Sequence, residues 1–220
     1  MKKILLLALI VFGGYKFYQN GYSLLPSHGA FDKKGKPLVV LFVGPGCAEP
    51  CNNVIDVLNK RGVAFEQISV AGPDGGPASN KYGITRFPTT LVGGQVILGD
   101  DTLRITSALA EAFGKDVLTR TEQMAMDNHF DAQGKPKVVM YGTTWCPYCK
   151  QQRAFFADNK IPFEEIDVEA TKSNEMAYHM LQGNGYPLTY VGYRRFSGFQ
   201  EGEILTAVAE LSKMKVASVR

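Results

Sequence analysis

The sequence predicts an α/β protein made of two tandem units, each a small mixed central sheet flanked by helices. Three observations lead to this fold class. The chain has 220 residues, which suits two compact domains of ordinary size. The sequence repeats itself. Each repeat passes from an apolar, β-rich run through a pair of cysteines into a helical pattern.

The repeat is read from two similar segments. KPLVVLFVGPGC (Lys36 to Cys47) aligns with KPKVVMYGTTWC (Lys135 to Cys146), so that matching positions differ by 99. The same difference relates Pro88 to Pro187 and Gly99 to Gly198. Between these points it falls to 98, because the first cysteine pair is C-x3-C and the second is C-x2-C. The two segments correspond from Lys36 to Gly99 and from Lys135 to Gly198, with one deletion that is compensated later. This correspondence indicates two copies of one fold.

Each unit is expected to contain the same elements in the same order. A buried strand comes first (Leu38–Val43; Val138–Tyr141). A helix then runs from the cysteine pair to about Arg61 or Asn159, and a second strand follows (Ala64–Val70; Phe163–Val168). Pro88 and Pro187 each open a third strand. A short fourth strand and an amphipathic helix (Thr102–Phe113; Glu203–Leu211) close the units.

These elements predict the division of the chain. The first unit spans residues 36–114 and the second spans 135–215. Residues 115–134 join them and are partly helical around Arg120–Met126. Residues 19–35 are polar, with Gly and Pro, and are expected to be a spacer.

Residues 1–18 have the pattern of an export signal. Lys2 and Lys3 precede an apolar run from Ile4 to about Gly14, which is short for a full membrane span. The pattern leaves open an uncleaved signal anchor and a cleaved signal peptide. Either one predicts an exported protein that faces the periplasm, and the anchor would hold it in the inner membrane.

Composition gives no sign of nucleic-acid binding or of histidine metal ligands. The net charge of +3, with no dense basic run, gives no reason to expect nucleic-acid binding. The three histidines are scattered, without the spacing of metal ligands. The four cysteines form two close pairs, Cys47/Cys51 and Cys146/Cys149, and such pairs indicate redox chemistry or metal binding.

The WCPYC motif, Trp145 to Cys149, lies between a strand and a helix. A cysteine at a helix amino terminus is near free N–H groups and the positive end of the helix dipole, both of which favour the thiolate. Cys149, one helical turn away, can resolve a mixed disulfide formed on Cys146. Pro147 is compatible with the first helical turn.

Residues from Lys135 to about Lys213 resemble a glutaredoxin, because C-P-Y-C follows a strand and Tyr186-Pro187 and Gly198 come later. The resemblance implies a thioredoxin-like fold, an exposed attacking Cys146 and a resolving Cys149. It also implies that Pro187 is a cis-proline facing the disulfide. The residues expected to contact substrate are Trp145, Pro147, Tyr148, Tyr186, Pro187, Gly198, Phe87 and Pro88; Trp145 could instead pack beside the active-site loop.

Some glutathione contacts of the glutaredoxin family are missing. The family usually has Lys three residues before the first cysteine, where this chain has Thr143, and Thr-Val before the proline, where it has Gly185-Tyr186. Ser197-Gly198-Phe199 instead resembles the redoxins that serve ribonucleotide reductase and use thioredoxin reductase. No organic cofactor or metal is expected, and glutathione stays a candidate reductant. The expected partners are protein thiols or disulfides.

The first unit has the same layout with a weaker motif, GPGCAEPC, in which Glu49 opposes thiolate formation. Its cysteines could relay electrons to the second unit or form a structural disulfide. Two alternatives apply to the whole chain. The four cysteines could form one zinc site, and the units could be non-catalytic binding modules. The sequence favours a thiol–disulfide oxidoreductase, in a direction that it does not specify.

Overall fold

The computed structural model describes residues 29–73 and 75–217, with side chains as far as Leu211. These residues form two four-stranded sheets of the same design. The strands of the first unit are β1 (Val39–Val43), β2 (Glu66–Ser69), β3 (Thr89–Val92) and β4 (Gln95–Leu98). Those of the second are β5 (Val138–Gly142), β6 (Glu164–Asp167), β7 (Leu188–Val191) and β8 (Arg194–Ser197).

Strand order and direction match between the sheets. The orders are β2-β1-β3-β4 and β6-β5-β7-β8. The first two strands of each unit are parallel, and the other neighbours are antiparallel. Parallel neighbours need a crossover, which the helix after each cysteine pair supplies. Both units therefore have the thioredoxin-like α/β fold, and the predicted fold class is confirmed.

Helices cover both faces of each sheet. In the first unit they are α1 (Ala48–Lys60), α2 (Gly75–Tyr82) and α3 (Thr102–Phe113), and α4 (Arg120–Met126) follows in the connection. The second unit has α5 (Pro147–Asp158), α6 (Lys172–Met180) and α7 (Glu201–Ala217). The bounds of α3 and α4 agree with the sequence prediction, whereas β2 and β6 are shorter than predicted and α7 is longer.

The alternation of side chains along each strand divides the core between the two faces. In the second unit, Met140 packs with the cysteines and with Phe156 of α5, while Val139 and Tyr141 pack towards α6 and α4. The first unit shows the same division around Leu41 and Val40. The central strands are buried on both faces, which explains their continuous apolar runs.

Both units begin earlier than the sequence division at residues 36 and 135. Phe31 and Phe130 form β-bridges with Pro37 and Pro136, and the intervening turns are held by Asp32 and Asp131. Each of these carboxylates accepts two backbone N–H bonds of 2.8–2.9 Å. Ala30, inside the predicted spacer, is buried. The F-D-x-x-G-K-P repeat at 31–37 and 130–136 is the sequence signal for this turn.

Ion pairs connect the two units. Arg194 of β8 binds Glu111 of α3 and Glu210 of α7, each at 2.6 Å, and Arg104 binds Glu203 at 2.8 Å. α3 lies against β8 at this contact. The units therefore share a surface formed by α3 and β8.

The predicted export signal lies outside the described residues. Within the described part of the chain, no helix combines the length and the apolar character needed to cross a membrane.

Candidate functional site

Cys146 and Cys149 form a disulfide across the first turn of α5, with 5.2 Å between their Cα atoms. Cys146 is the N-cap residue, and its sulfur accepts a hydrogen bond of 3.0 Å from the backbone N–H of Cys149. Pro147 occupies the first turn, where its missing N–H costs no hydrogen bond. The sequence places this pair at a helix amino terminus, and the structure agrees.

One expectation about the cysteines is wrong. The resemblance implied an exposed Cys146, but its exposed fraction is 3% and that of Cys149 is 0%. The Cys146 sulfur lies at the start of α5, where the Cys149 N–H donates to it, and both cysteines belong to an apolar cluster that includes Phe156 and Phe196. An attacking thiolate must therefore approach between the residues that surround Cys146.

Exposed aromatic side chains flank the disulfide. Trp145 is 64% exposed and Tyr148 is 58% exposed. The Trp145 indole donates a hydrogen bond of 2.9 Å to Glu169 and lies edge-on to Tyr186, with 6.0 Å between ring centroids. Trp145 thus packs beside the active-site loop and still presents most of its surface to solvent. Its contact with a substrate stays a prediction.

The loop before β7 contains the expected cis peptide bond, between Tyr186 and Pro187. Tyr186 packs against the cluster that contains both cysteines. The Tyr178 hydroxyl holds the loop, since it donates to the Gly185 carbonyl at 3.0 Å and accepts from the Gly185 N–H at 2.8 Å. Gly198, with φ of 78°, donates its N–H to the Pro187 carbonyl at 2.8 Å.

Polar contacts support α5 from behind. Gln152 is fully buried and donates to the Thr189 hydroxyl, which ties α5 to the strand after Pro187. Arg153 forms a two-oxygen ion pair with Glu165 of β6 and donates to the Thr143 carbonyl at 3.0 Å. The hydrogen bond with Glu165 raises the pKa of Arg153. Thr143, which stands where glutaredoxins usually have Lys, is buried.

Sequence reasoning did not identify Gln152, Arg153 or Glu165 as part of this site. A signal was present in the repeat. At the matching positions the first unit has Val54, Ile55 and Gln67. The replacement of apolar Val54 and Ile55 by polar Gln152 and Arg153 beside a cysteine pair is this signal. That Glu165 lies near α5 is shown only by the strand register.

Cys47 and Cys51 form a second disulfide at the start of α1, with 5.4 Å between their Cα atoms. They are 7% and 6% exposed. The Phe87–Pro88 peptide bond is also cis, and the Phe87 ring lies against Gly44. The cysteines thus form two separate disulfides rather than one four-cysteine site. In the part of the chain that the structure describes, no cluster of three His, Cys, Asp or Glu residues could hold a metal ion.

The second unit is similar to a known family. The glutaredoxin family model matches residues 138–192, which include the C-P-Y-C motif and Pro187. The matched region begins at β5 and ends just after β7, so it covers the part of the fold that holds the site. The second unit therefore contains a glutaredoxin-like region, and glutaredoxins are in general thiol oxidoreductases.

Solved structures are similar to the chain in fold. A glutaredoxin from Archaeoglobus fulgidus is 24% identical, with 34% of this chain and 89% of that chain covered and a TM-score of 0.29. A buckwheat glutaredoxin–glutathione complex is 16% identical, with coverage of 43% and 97% and a TM-score of 0.34. The first two thioredoxin domains of Naumovozyma dairenensis Eps1p are 16% identical, with coverage of 82% and 91% and a TM-score of 0.26. No curated protein matches the chain in sequence.

Proposed function

We propose that this chain is a thiol–disulfide oxidoreductase that exchanges a dithiol for a disulfide through Cys146 and Cys149. One observation carries the proposal. The disulfide closes the first turn of α5, beside exposed Trp145 and the loop of Pro187. A purely structural disulfide has no need of a helix amino terminus, which stabilises a thiolate.

The reaction takes two steps. The Cys146 thiolate attacks one sulfur of a substrate disulfide, which forms a mixed disulfide and releases the first substrate thiolate. Cys149 then attacks the Cys146 sulfur, which closes the protein disulfide and releases the second thiolate. Two cysteines are oxidised, one disulfide is reduced, and no cofactor is needed. In the reverse direction the protein disulfide oxidises a substrate dithiol.

A redox titration of the full-length protein tests this function. Samples are acid-quenched and alkylated, and peptide mass gives the oxidised fraction of each cysteine pair separately. We expect a reversible two-electron transition of Cys146/Cys149 at roughly −230 to −180 mV, as in glutaredoxins and disulfide isomerases. A pair that stays oxidised below about −300 mV, as structural disulfides do, would refute the proposal. In a Cys149→Ser variant, the mixed disulfide should accumulate on Cys146.

The first unit has a proposed role as a relay partner, which rests on its disulfide and its cis-proline loop. A Cys47→Ser/Cys51→Ser variant tests this role by steady-state turnover with a protein disulfide. Lost turnover with an intact Cys146/Cys149 couple supports a relay. Unchanged turnover contradicts the relay and favours a docking role for the first unit.

The proposed partners are protein thiols and disulfides, with glutathione as one candidate reductant. Thr143 is buried where the glutaredoxin family usually has a lysine, which argues against tight glutathione binding. Turnover with glutathione, compared with turnover coupled to thioredoxin reductase, distinguishes the two electron sources. A rate that saturates with glutathione and is absent with the reductase would favour glutathione.

Export is part of the proposal. Lys2, Lys3 and the apolar run that follows support an inner-membrane protein whose redox units face the periplasm. Protease added to intact spheroplasts should then digest both units. Full protection of the chain until the inner membrane is opened would contradict this location.

A further inference from the structure

A groove of about 530 Å³ lies beside the Cys146–Cys149 disulfide. Tyr186, which lines the groove, also packs against the cluster that contains both cysteines. Tyr178 lines it next to Tyr186, with 5.1 Å between the two ring centroids. The rest of the lining comes from residues 168–172 and from one face of α6. The groove therefore has an aromatic wall that also borders the surroundings of the disulfide.

Trp145 holds the carboxylate of Glu169 at the groove. The indole Nε1–H donates to Oε1 at 3.1 Å and to Oε2 at 2.9 Å. Trp145 directly precedes Cys146 and lies edge-on to Tyr186, so the carboxylate is at the end of the groove nearest the active-site loop. The indole is neutral, and among the described residues no cation forms an ion pair with Glu169. The carboxylate can therefore still bind a cationic group.

The other charges of the lining favour a cation as well. Glu175 Oε1 is 3.9 Å from His179 Nε2, which is a long ion pair even when the histidine is protonated. Lys172 also lines the groove and is exposed, but the carboxylates of Glu169 and Glu175 outnumber it. Burial, and then negative groups that include these two carboxylates, raise the pKa of Tyr186. The groove is therefore electrostatically complementary to a positively charged group.

The first unit lacks the indole and the carboxylate. At the positions of Trp145 and Glu169 it has Gly46 and Ala71. It keeps an aromatic residue before the proline, which is Phe87. The fold therefore forms without the pair of Trp145 and Glu169.

From this geometry we infer that the groove binds a lysine or arginine side chain of a protein substrate, and that Glu169 selects it; this rests on the proposed function. The apolar stem of such a side chain packs against Tyr178 and Tyr186, and its charged end reaches Glu169. Binding brings the substrate sulfur to Cys146 and changes none of the bonds that are exchanged. Glutathione carries a net negative charge, so the same carboxylates disfavour it.

Matched peptide disulfides test this inference with the full-length protein. The peptides are acetyl-Xaa-Gly-Cys-Gly-Xaa-amide, with lysine, glutamine or glutamate at Xaa, each oxidised to its disulfide-linked dimer. The reduced protein is mixed with each dimer, and acid quenching followed by alkylation gives the second-order rate of disulfide exchange. Each rate is divided by that of the same dimer with dithiothreitol, which corrects for the effect of the peptide charge on its own cysteine. The test variant is Glu169→Gln. The control is Glu164→Gln, which removes the same charge at a residue that is paired with Lys137.

We expect the wild type to react about 5-fold faster with the lysine peptide than with the glutamine peptide, since an exposed ion pair contributes at most about 1 kcal/mol. Glu169→Gln should abolish this preference and leave the rate with the glutamine peptide unchanged. The control should match the wild type. In about 1 M salt, where the Debye length is about 3 Å, the preference for lysine should fall.

Equal corrected rates for the three peptides in the wild type, or a faster reaction with the glutamate peptide, would overturn the inference. A Glu169→Gln variant that slows all three peptides by the same factor would also overturn it, because a purely structural role has that effect. If neither the peptide dimers nor bis(2-hydroxyethyl) disulfide oxidised Cys146 and Cys149, the proposed function itself would be overturned.

Discussion

His129 makes the stability of the second unit sensitive to acid. Its ring is fully buried and stacks on Tyr190, with 4.1 Å between ring centroids. Nε2 shares a hydrogen bond of 3.0 Å with the Tyr141 hydroxyl, and Nδ1 has no hydrogen-bond partner in the structure. Burial, and then the positive charge of Lys137, lower the pKa of His129 from 6.5 to about 3.

The size of the effect follows from proton linkage. Between pH 6.5 and pH 3 the unfolded chain binds a proton at His129 and the folded chain does not, so stability falls as the pH falls. Each pH unit in this range is worth about 1.36 kcal/mol. Because the unfolded histidine is already half protonated at pH 6.5, acidification from pH 6.5 to pH 4.5 should remove about 2 kcal/mol of folding free energy through this one group.

Urea unfolding at pH 6.5 and at pH 4.5, followed by Trp145 fluorescence, measures the loss. The control is His129→Phe, which keeps an aromatic ring against Tyr190 and cannot bind a proton. At pH 6.5 the variant should be less stable by about 1–3 kcal/mol, because the Tyr141 hydroxyl loses a buried partner. Other titrating groups affect both proteins equally, so the stability of the variant relative to the wild type should rise by about 2 kcal/mol at pH 4.5. A deficit that stays constant with pH would refute the reasoning.

Two further predictions concern the contact between the units and the loop at the active site. Arg194→Ala should cost about 2 kcal/mol in urea unfolding, because the guanidinium is only 21% exposed and two carboxylates lose their partner. Arg104→Ala, at a more exposed pair, should cost at most about 1 kcal/mol, and equal costs would contradict the burial argument. Tyr178→Phe removes both hydrogen bonds to Gly185, so we expect a loss of about 1–2 kcal/mol and slower disulfide exchange. Unchanged rates in stopped-flow assays would show that these bonds do not position the loop.

The elements that the sequence predicts best have local signals. The bounds of α3 agree because an Asp101 N-cap and a helical apolar period identify them. α4 begins at a capping box formed by Thr119 and Glu122. The strands follow from the repeat, whereas the cis conformation of Pro187 is what the resemblance to glutaredoxins implies. The turns after Phe31 and Phe130 lie outside the predicted bounds of the units because they are short and polar, as a linker would be.

The features that sequence reasoning could not predict depend on contacts between distant elements. The Arg153–Glu165 pair requires the register of β6 against β5, and a slip of one residue would turn Glu165 to the other face. Cys146 is buried in an apolar cluster that includes Phe196 of β8, fifty positions further along the chain. The resemblance implies an exposed Cys146 because it rests on the C-P-Y-C motif alone and takes no account of the residues packed around it.

The two units show that one backbone can carry different chemistry. Their sheets agree in strand order, in register and in the cis-prolines, so residues at matching positions have matching surroundings. The helix that follows the cysteines is more apolar in the first unit, where α1 has Val54 and Ile55 at the positions of Gln152 and Arg153 in α5. A fold that needed these polar groups for stability would carry them in both units. Only the unit with C-P-Y-C has them, as the proposed reaction of its disulfide would lead one to expect.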